Sequence, residues 1–206
     1  MLKETNFARR ISDRAGEIFS LIPISPNQWT ALSLVFAALG ALELFGGKAL
    51  TGGVMFGVSF FCDFVDGAVA RKKGEVNPLG AYFDGMSDRV SEFLLLFGLL
   101  FYPIPTMIFP SCVWIFLVLF FGTCMTSYAK AYADHRKVLS KNEIEKTSSL
   151  FGRAERVSVL LLSVLALELD RNFSGYLLVL TAVLSFLTVG RIFRTVVGRA
   201  KNSKNR

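Results

Sequence analysis

Long apolar stretches separated by short polar ones run the length of the chain, and their lengths suit helices rather than strands. Residues 93–129 carry no charge. That is too long for one crossing of a ~30 Å bilayer core. Tyr102-Pro103-Ile104-Pro105 interrupts it, so it reads as two helices joined by a tight turn. Residues 173–190 are a further uncharged run, 29–47 carry only Glu43, and 157–167 lead up to Glu168. Residues 49–62 are apolar and run into a pair of aspartates. The pattern predicts six transmembrane helices, at about 28–46, 50–73, 78–102, 106–134, 148–168 and 174–198. Ahead of them Leu2, Phe7, Ile11, Ile18 and Phe19 alternate with Lys3, Arg9, Arg10, Asp13 and Arg14. This segment has no continuous apolar core of the kind a cleavable signal needs. It predicts an amphipathic helix lying on the membrane surface. The expected architecture is an all-α integral membrane protein, a single domain over 1–206, with a juxtamembrane helix at 1–20 and a disordered tail at 200–206.

Composition agrees with a membrane class: 52% of residues are hydrophobic and 20 are Phe, with a mean hydropathy of +0.48. Charge adds an orientation. Of 23 Lys and Arg, Lys48 and Arg171 alone fall at the loops between helices 1 and 2 and between helices 5 and 6. The turn between helices 3 and 4 has none, and the rest gather at the termini and the 2–3 and 4–5 connections. The positive-inside rule then puts both termini in the cytoplasm. The net charge of +7 suits anionic lipid headgroups and anionic substrates. No nucleic-acid-binding motif accompanies it. Cys62, Cys112 and Cys124 lie in or beside apolar spans, odd in number and without metal spacing, so neither disulfide nor metal is assigned to them. His135, the sole histidine, follows the fourth helix as a solvated side chain.

The polar residues that do not fit a plain membrane helix are acids. Asp63-Phe-Val-Asp66-Gly67-Ala-Val-Ala70-Arg71 is followed, after eight residues, by Gly80-Ala-Tyr-Phe-Asp84-Gly-Met-Ser-Asp88. Four carboxylates within 26 residues, inside apolar sequence, are costly without a partner. Spacings of three and four put each pair on one helix face. By helix rise Asp63 lies about 15 Å in from the cytoplasmic end of its helix, and Asp84 and Asp88 about 9 and 15 Å in from theirs. Two antiparallel helices thus bring both pairs to one layer, where they can hold hard divalent cations through carboxylate oxygens.

The pattern D-x2-D-G-x2-A-R-x8-G-x3-D-x3-D is similar to the signature of the CDP-alcohol phosphatidyltransferases, and every fixed position is present. That resemblance implies transfer of a phosphatidyl or related group from a CDP-linked lipid to an alcohol, with release of CMP. It implies Asp63, Asp66 and Asp84 as ligands of two Mg2+ or Mn2+ ions, and Asp88 as the base, also within reach of the second metal. It implies CDP-lipid contacts at Asp63, Gly67, Ala70, Arg71 and Gly80, with Arg71 on the diphosphate. Pro26-Asn27-Gln-Trp-Thr30 looks like the family's P-N-x-x-T, which implies nucleotide contacts at Asn27 and Thr30, although Pro-Asn ahead of a helix is also ordinary capping. Homodimer formation is likewise implied by the family.

For the acceptor, Ser127-Tyr128-Ala129-Lys130-Ala131-Tyr132-Ala133-Asp134, Gly152-Arg153-Ala154-Glu155-Arg156 and Arg191 with Arg194 are similar to segments of the phosphatidylinositol phosphate and archaetidylinositol phosphate synthases. Tyr132, Asp134 and Gly152 stand where those enzymes carry Arg, Glu and Glu. The resemblance implies an acceptor-phosphate site of Lys130, Arg153, Arg156 and Arg191, and inositol 1-phosphate as the phosphorylated polyol. Glycerol 3-phosphate is the alternative acceptor. Outside the family, an intramembrane prenyltransferase also uses two Asp-rich motifs, but the D-G-x-x-A-R and G-x-x-x-D elements speak against it. A divalent-cation transporter would carry ion ligands through the full membrane depth, whereas these acids cluster on one side.

Overall fold

The computed structural model describes residues 6–138 and 150–204, and every regular element among them is helical. The helices are α1 (Asn6–Phe19), α2 (Pro26–Phe45), α3 (Ala49–Lys73), α4 (Pro78–Leu100), α5 (Ser111–Leu117), a π-helical segment Val118–Met125, α6 (Thr126–His135), α7 (Arg153–Ala166) and α8 (Arg171–Lys204). Local chemistry explains several ends. Ser25 caps α2 in a reciprocal box: the Gln28 N–H donates to Ser25 Oγ at 3.3 Å, and the Ser25 N–H donates to Gln28 Oε1 at 2.8 Å. Pro26 and Pro78 occupy first-turn positions, where a missing N–H costs nothing. Gly74 stops α3 in the left-handed conformation, at φ 68°.

The chain forms two compact units. One takes the described residues up to Pro103 together with Val164–Asp170, and the other takes Ile104–Ser163 with the described residues from Arg171 on. In the first, α2 packs on both α3 and α4 through small residues. A Cβ on Gly40 would stand 2.8 Å from the Phe56 ring, and one on Gly98 would stand 3.0 Å from Leu44. Close backbone approach of this kind is how helices gain dispersion contact where lipid removes the hydrophobic drive. The Ala49 N–H at the start of α3 donates to Glu168 at 3.1 Å. In the second unit Phe121 meets Phe186 edge-on at 5.1 Å, and Ser163 Oγ donates to the Ser174 carbonyl at 3.0 Å.

Four helical stretches among the described residues are long and apolar enough to cross a membrane: Pro26–Phe45, Ala49–Lys73, Ser111–His135 and Arg171–Ala200. The chain is therefore a multi-pass membrane protein, but two of the six expected spans do not meet that measure. α4 is long enough at 23 residues, but Asp84, Asp88, Arg89 and Glu92 interrupt its apolar run. Among the described residues of the span expected over 148–168, the 14 residues Arg153–Ala166 are helical, about 21 Å at the α-helical rise. Residues 148 and 149 lie outside the described ones, as do 1–5 of the expected juxtamembrane helix and 205–206 of the expected tail. α8 continues to Lys204, into the stretch read from the sequence as tail.

The amphipathic segment is helical over Asn6–Phe19 and docks on α3. Its inward stripe is Ser12, Ala15, Gly16 and Phe19, at helical spacing i, i+3, i+4, i+7. Ile11 and Ile18 are instead 44% and 62% exposed. The small residues face the protein because only they permit the approach: a Cβ on Gly16 would lie 2.8 Å from the Ala68 carbonyl of α3.

Candidate active site

α3 carries Asp63 and Asp66, and α4 carries Asp84 and Asp88. One carboxylate oxygen each of Asp63, Asp66 and Asp84 lies within 4.8 Å of the other two. Oxygens bound about 2.1 Å from a common Mg2+ stand at most about 4.2 Å apart. The observed spread is a small rotamer adjustment from that, and three hard anionic donors are the ligand set Mg2+ and Mn2+ prefer. The residues present therefore fit a divalent ion. Their exposure is graded: Asp66 is 3% exposed, Asp63 half-buried and Asp84 open. Asp88, one turn beyond Asp84, is 8% exposed and lies outside this trio. Its Oδ2 accepts from Arg89 Nη1 at 3.2 Å, and the same guanidinium nitrogen donates to the Gly85 carbonyl at 2.9 Å.

Thr30, expected from the sequence to touch nucleotide, directs its hydroxyl at Asp66: Oγ1 to Oδ2 is 2.6 Å. The Pro26 carbonyl is 3.1 Å from the same oxygen. A hydroxyl has one proton to give, and the shorter, charge-assisted bond takes the larger share. Thr30 thereby restrains the buried Asp66 carboxylate through Oδ2. The prediction is that Thr30→Val weakens Mn2+ binding by about tenfold, from the loss of one hydrogen bond to a charged group, while Thr30→Ser binds normally. Mn2+ titration followed by electron paramagnetic resonance decides it; equal affinity in the Val variant would show that Asp66 needs no such support.

The other motif residues lie on α2, α3 and α4. Asn27 is exposed at the start of α2, and Ala70 is half-buried on α3. Gly80 donates its N–H to the cap residue Asn77 at 2.8 Å. A Cβ there would meet only the Asn77 side chain, at 3.5 Å or more, so packing within the chain does not require glycine at this position. Gly67 is different: a Cβ would lie 3.3 Å from Arg71 Nη1. The exposed Arg71 therefore folds back over the Gly67 turn, and its Nη2 donates to Ser12 Oγ at 2.6 Å.

The four cations expected at the acceptor belong to the other unit. Arg156 is buried at 3% exposure and passes through a notch at Gly122 in the π segment. A Cβ on Gly122 would stand 2.8 Å from Arg156 Cδ and 2.9 Å from Ser185 Oγ. The Phe151 N–H donates to Thr188 Oγ1 at 3.1 Å. That bond ties the chain two residues before Arg153 to a point on α8 one turn before Arg191. Arg153 and Lys130 are half-buried and Arg191 is exposed. Sequence reasoning did not foresee the π segment or the Gly122 notch. Gly122 is one more small residue in an apolar run, and its role is set by a side chain from another helix.

The family model described as CDP-alcohol phosphatidyltransferase matches residues 23–190, a span holding the whole Asp motif and both tie points of the cationic segments. The chain belongs to this family. An archaetidylinositol phosphate synthase of Pyrococcus horikoshii is 32% identical over 87 residues, 42% of this chain and 46% of that one. A bifunctional IPC transferase and DIPP synthase of Aquifex aeolicus is 28% identical over 196 residues, 93% of this chain and 42% of that one. The chain thus matches less than half the length of either relative. Crystal structures of the phosphatidylinositol phosphate synthase of Mycobacterium tuberculosis have the same fold. The form with CDP-DAG bound gives a TM-score of 0.74 over 91% of this chain and 94% of that one, at 24% identity. The form in complex with manganese and citrate gives 0.75 over 90% and 88%, also at 24% identity.

Proposed function

We propose that the protein transfers a phosphatidyl or archaetidyl group from a CDP-linked lipid to a phosphorylated polyol, inositol 1-phosphate, and releases CMP. The observation that carries this reading is the convergence of Asp63, Asp66 and Asp84 within 4.8 Å at the fixed positions of the family motif. Those three residues hold Mg2+ or Mn2+, two ions in all, with Asp88 in reach of the second. Bound metal offsets the charge of the diphosphate. Asn27, Thr30, Gly67, Ala70 and Gly80 line the CDP-lipid side. Arg71 holds a diphosphate oxygen. The acceptor hydroxyl oxygen bonds to the β-phosphorus, the phosphorus–oxygen bond to CMP breaks, and CMP leaves with the electron pair. Asp88 takes the hydroxyl proton.

Lys130, Arg153, Arg156 and Arg191 hold the acceptor's phosphate. Support comes from the chemistry of the three arginines, whose planar guanidinium forks suit phosphate. The names of the relatives, archaetidylinositol and phosphatidylinositol phosphate synthases, point to the same acceptor. The chain acts as one domain over 1–206 and as a homodimer. Its six membrane segments, α4 and α7 included, place both termini and the active site on the cytoplasmic side. α1 lies in the interface with Ile11 and Ile18 toward lipid.

The test is CMP release from CDP-diacylglycerol in detergent against a panel of inositol 1-phosphate, glycerol 3-phosphate, inositol and serine. Inositol 1-phosphate is expected to be preferred strongly over free inositol. Arg153→Ala and Arg191→Ala are each expected to raise the acceptor KM at least about tenfold, as loss of a charge-assisted bond to phosphate implies, with CDP-lipid affinity unchanged. Equal use of free inositol or serine, or normal acceptor kinetics in both variants, would reduce these cations to topological flanks.

A further inference from the structure

Three consecutive residues at the polar end of α3 bind α1 and the segment after it. Arg71 donates to Ser12 Oγ at 2.6 Å, Lys72 pairs with Glu17 at 3.4 Å, and Lys73 donates to the Ile24 carbonyl at 3.1 Å. Beneath these polar contacts the backbones nearly touch, at Gly16 and the Ala68 carbonyl. Arg71 is the last fixed residue of the α3 half of the family motif, and on an open helix face its long side chain would sample many rotamers. Two neighbours narrow that choice. Gly67 leaves the flank of α3 clear for the guanidinium to fold back over it, and Ser12 accepts one of its five N–H groups.

We propose that Ser12 is a positioning residue for Arg71, holding the guanidinium over the Asp66-Gly67 turn in readiness for the diphosphate of the CDP-linked lipid. This rests on the reading of Arg71 as a diphosphate ligand. Serine suits the position because it orients without neutralising. The acids of α1, Asp13 and Glu17, are exposed, off its inward stripe. A carboxylate at position 12 would satisfy the guanidinium with charge and compete with phosphate, whereas a hydroxyl leaves the full positive charge and the remaining donors available. Pre-orientation lowers the ordering cost met at binding, so its loss appears in substrate affinity rather than in the chemical step.

The experiment is steady-state kinetics of the full chain with CDP-diacylglycerol in detergent, together with Mn2+ titration. Ser12→Ala is expected to raise the CDP-lipid KM about five- to tenfold, the net worth of one exposed hydrogen bond, with kcat and Mn2+ affinity within about twofold of the parent. Ser12→Thr, which keeps the hydroxyl, restores the parent KM. Arg71→Ala raises KM further, and adding Ser12→Ala to it changes nothing more, since the two act through one group. Glu17→Gln, which removes the neighbouring ion pair and leaves Arg71 untouched, keeps the parent KM. If Arg71→Ala itself has no effect, the diphosphate reading of Arg71 falls and takes this inference with it. If Arg71→Ala acts but Ser12→Ala does not, or the two effects add, Ser12 does not position Arg71. A KM increase in Glu17→Gln as large as that in Ser12→Ala would assign the effect to docking of α1 as a whole, and also overturns the proposal.

Discussion

Alanine in place of Asp63, Asp66 or Asp84 is expected to abolish transfer and to weaken divalent-ion binding. Each contributes a carboxylate oxygen to a set within 4.8 Å, from two helices whose relative position is fixed by packing of α2 against both. Without metal such a set is electrostatically unfavourable: three anionic oxygens a few ångströms apart repel, and apolar surroundings magnify the repulsion. Removing one leaves a two-ligand site with too few hard donors for an ion that sheds water reluctantly. The loss should be greatest for Asp66, which is buried and held by Thr30. It should be least for Asp84, whose open position lets water take over. CMP release and Mn2+ titration of the three variants, alongside the parent in excess chelator, check this. Full parental activity in chelator, or near-normal turnover in the Asp66 variant, would remove the metal from the mechanism.

Asp88→Asn is expected to bind CDP and Mn2+ as the parent does and to lose turnover by about 10²–10⁴-fold, the contribution of a positioned general base. The structure separates Asp88 from the other three acids. It is outside the trio, buried, and hydrogen-bonded on Oδ2 by Arg89. A carboxylate outside that set can take a proton while Asp63, Asp66 and Asp84 keep their charge. Asn preserves shape and the hydrogen bond from Arg89 while removing basicity, so binding and chemistry are split by one substitution. A loss of only a few-fold would make the Asp88–Arg89 pair a structural one.

The acidic site was legible in the sequence because its information is local. Asp63 with Asp66 and Asp84 with Asp88 lie within one helical turn of each other, and a short loop joins the two helices. Thr30 was legible as a residue of interest, but its bond to Asp66 was not, since it spans 36 positions. The number of membrane crossings was harder to read. In α4 the same carboxylates that identify the site lower the apolar signal of its helix. α7 begins at Arg153, and the described residues 150–152 ahead of it are not helical. On α1 the large apolar residues indicated an amphipathic surface helix, but not which residues would face the protein, and those are the small ones. Hydropathy ranks residues by their preference for leaving water. Helix docking at Gly16 is decided by how near two backbones can come.

The buried hydroxyls of α8 bear on how the protein reaches its folded state. Thr181 donates to the Leu177 carbonyl at 2.8 Å, Ser185 to Thr181 at 2.7 Å and Thr188 to Leu184 at 2.7 Å, each four residues back along the same helix. In hydrocarbon an unmet donor is costly, yet none of these three needs another helix to meet it. α8 can therefore partition into lipid as an isolated rod, before any neighbour arrives. What the hydroxyls still offer is acceptor lone pairs, and the Phe151 N–H takes one from Thr188. The stripe is neutral during insertion and adhesive afterwards, which lets biogenesis proceed one helix at a time while the polar contacts of assembly are held in reserve.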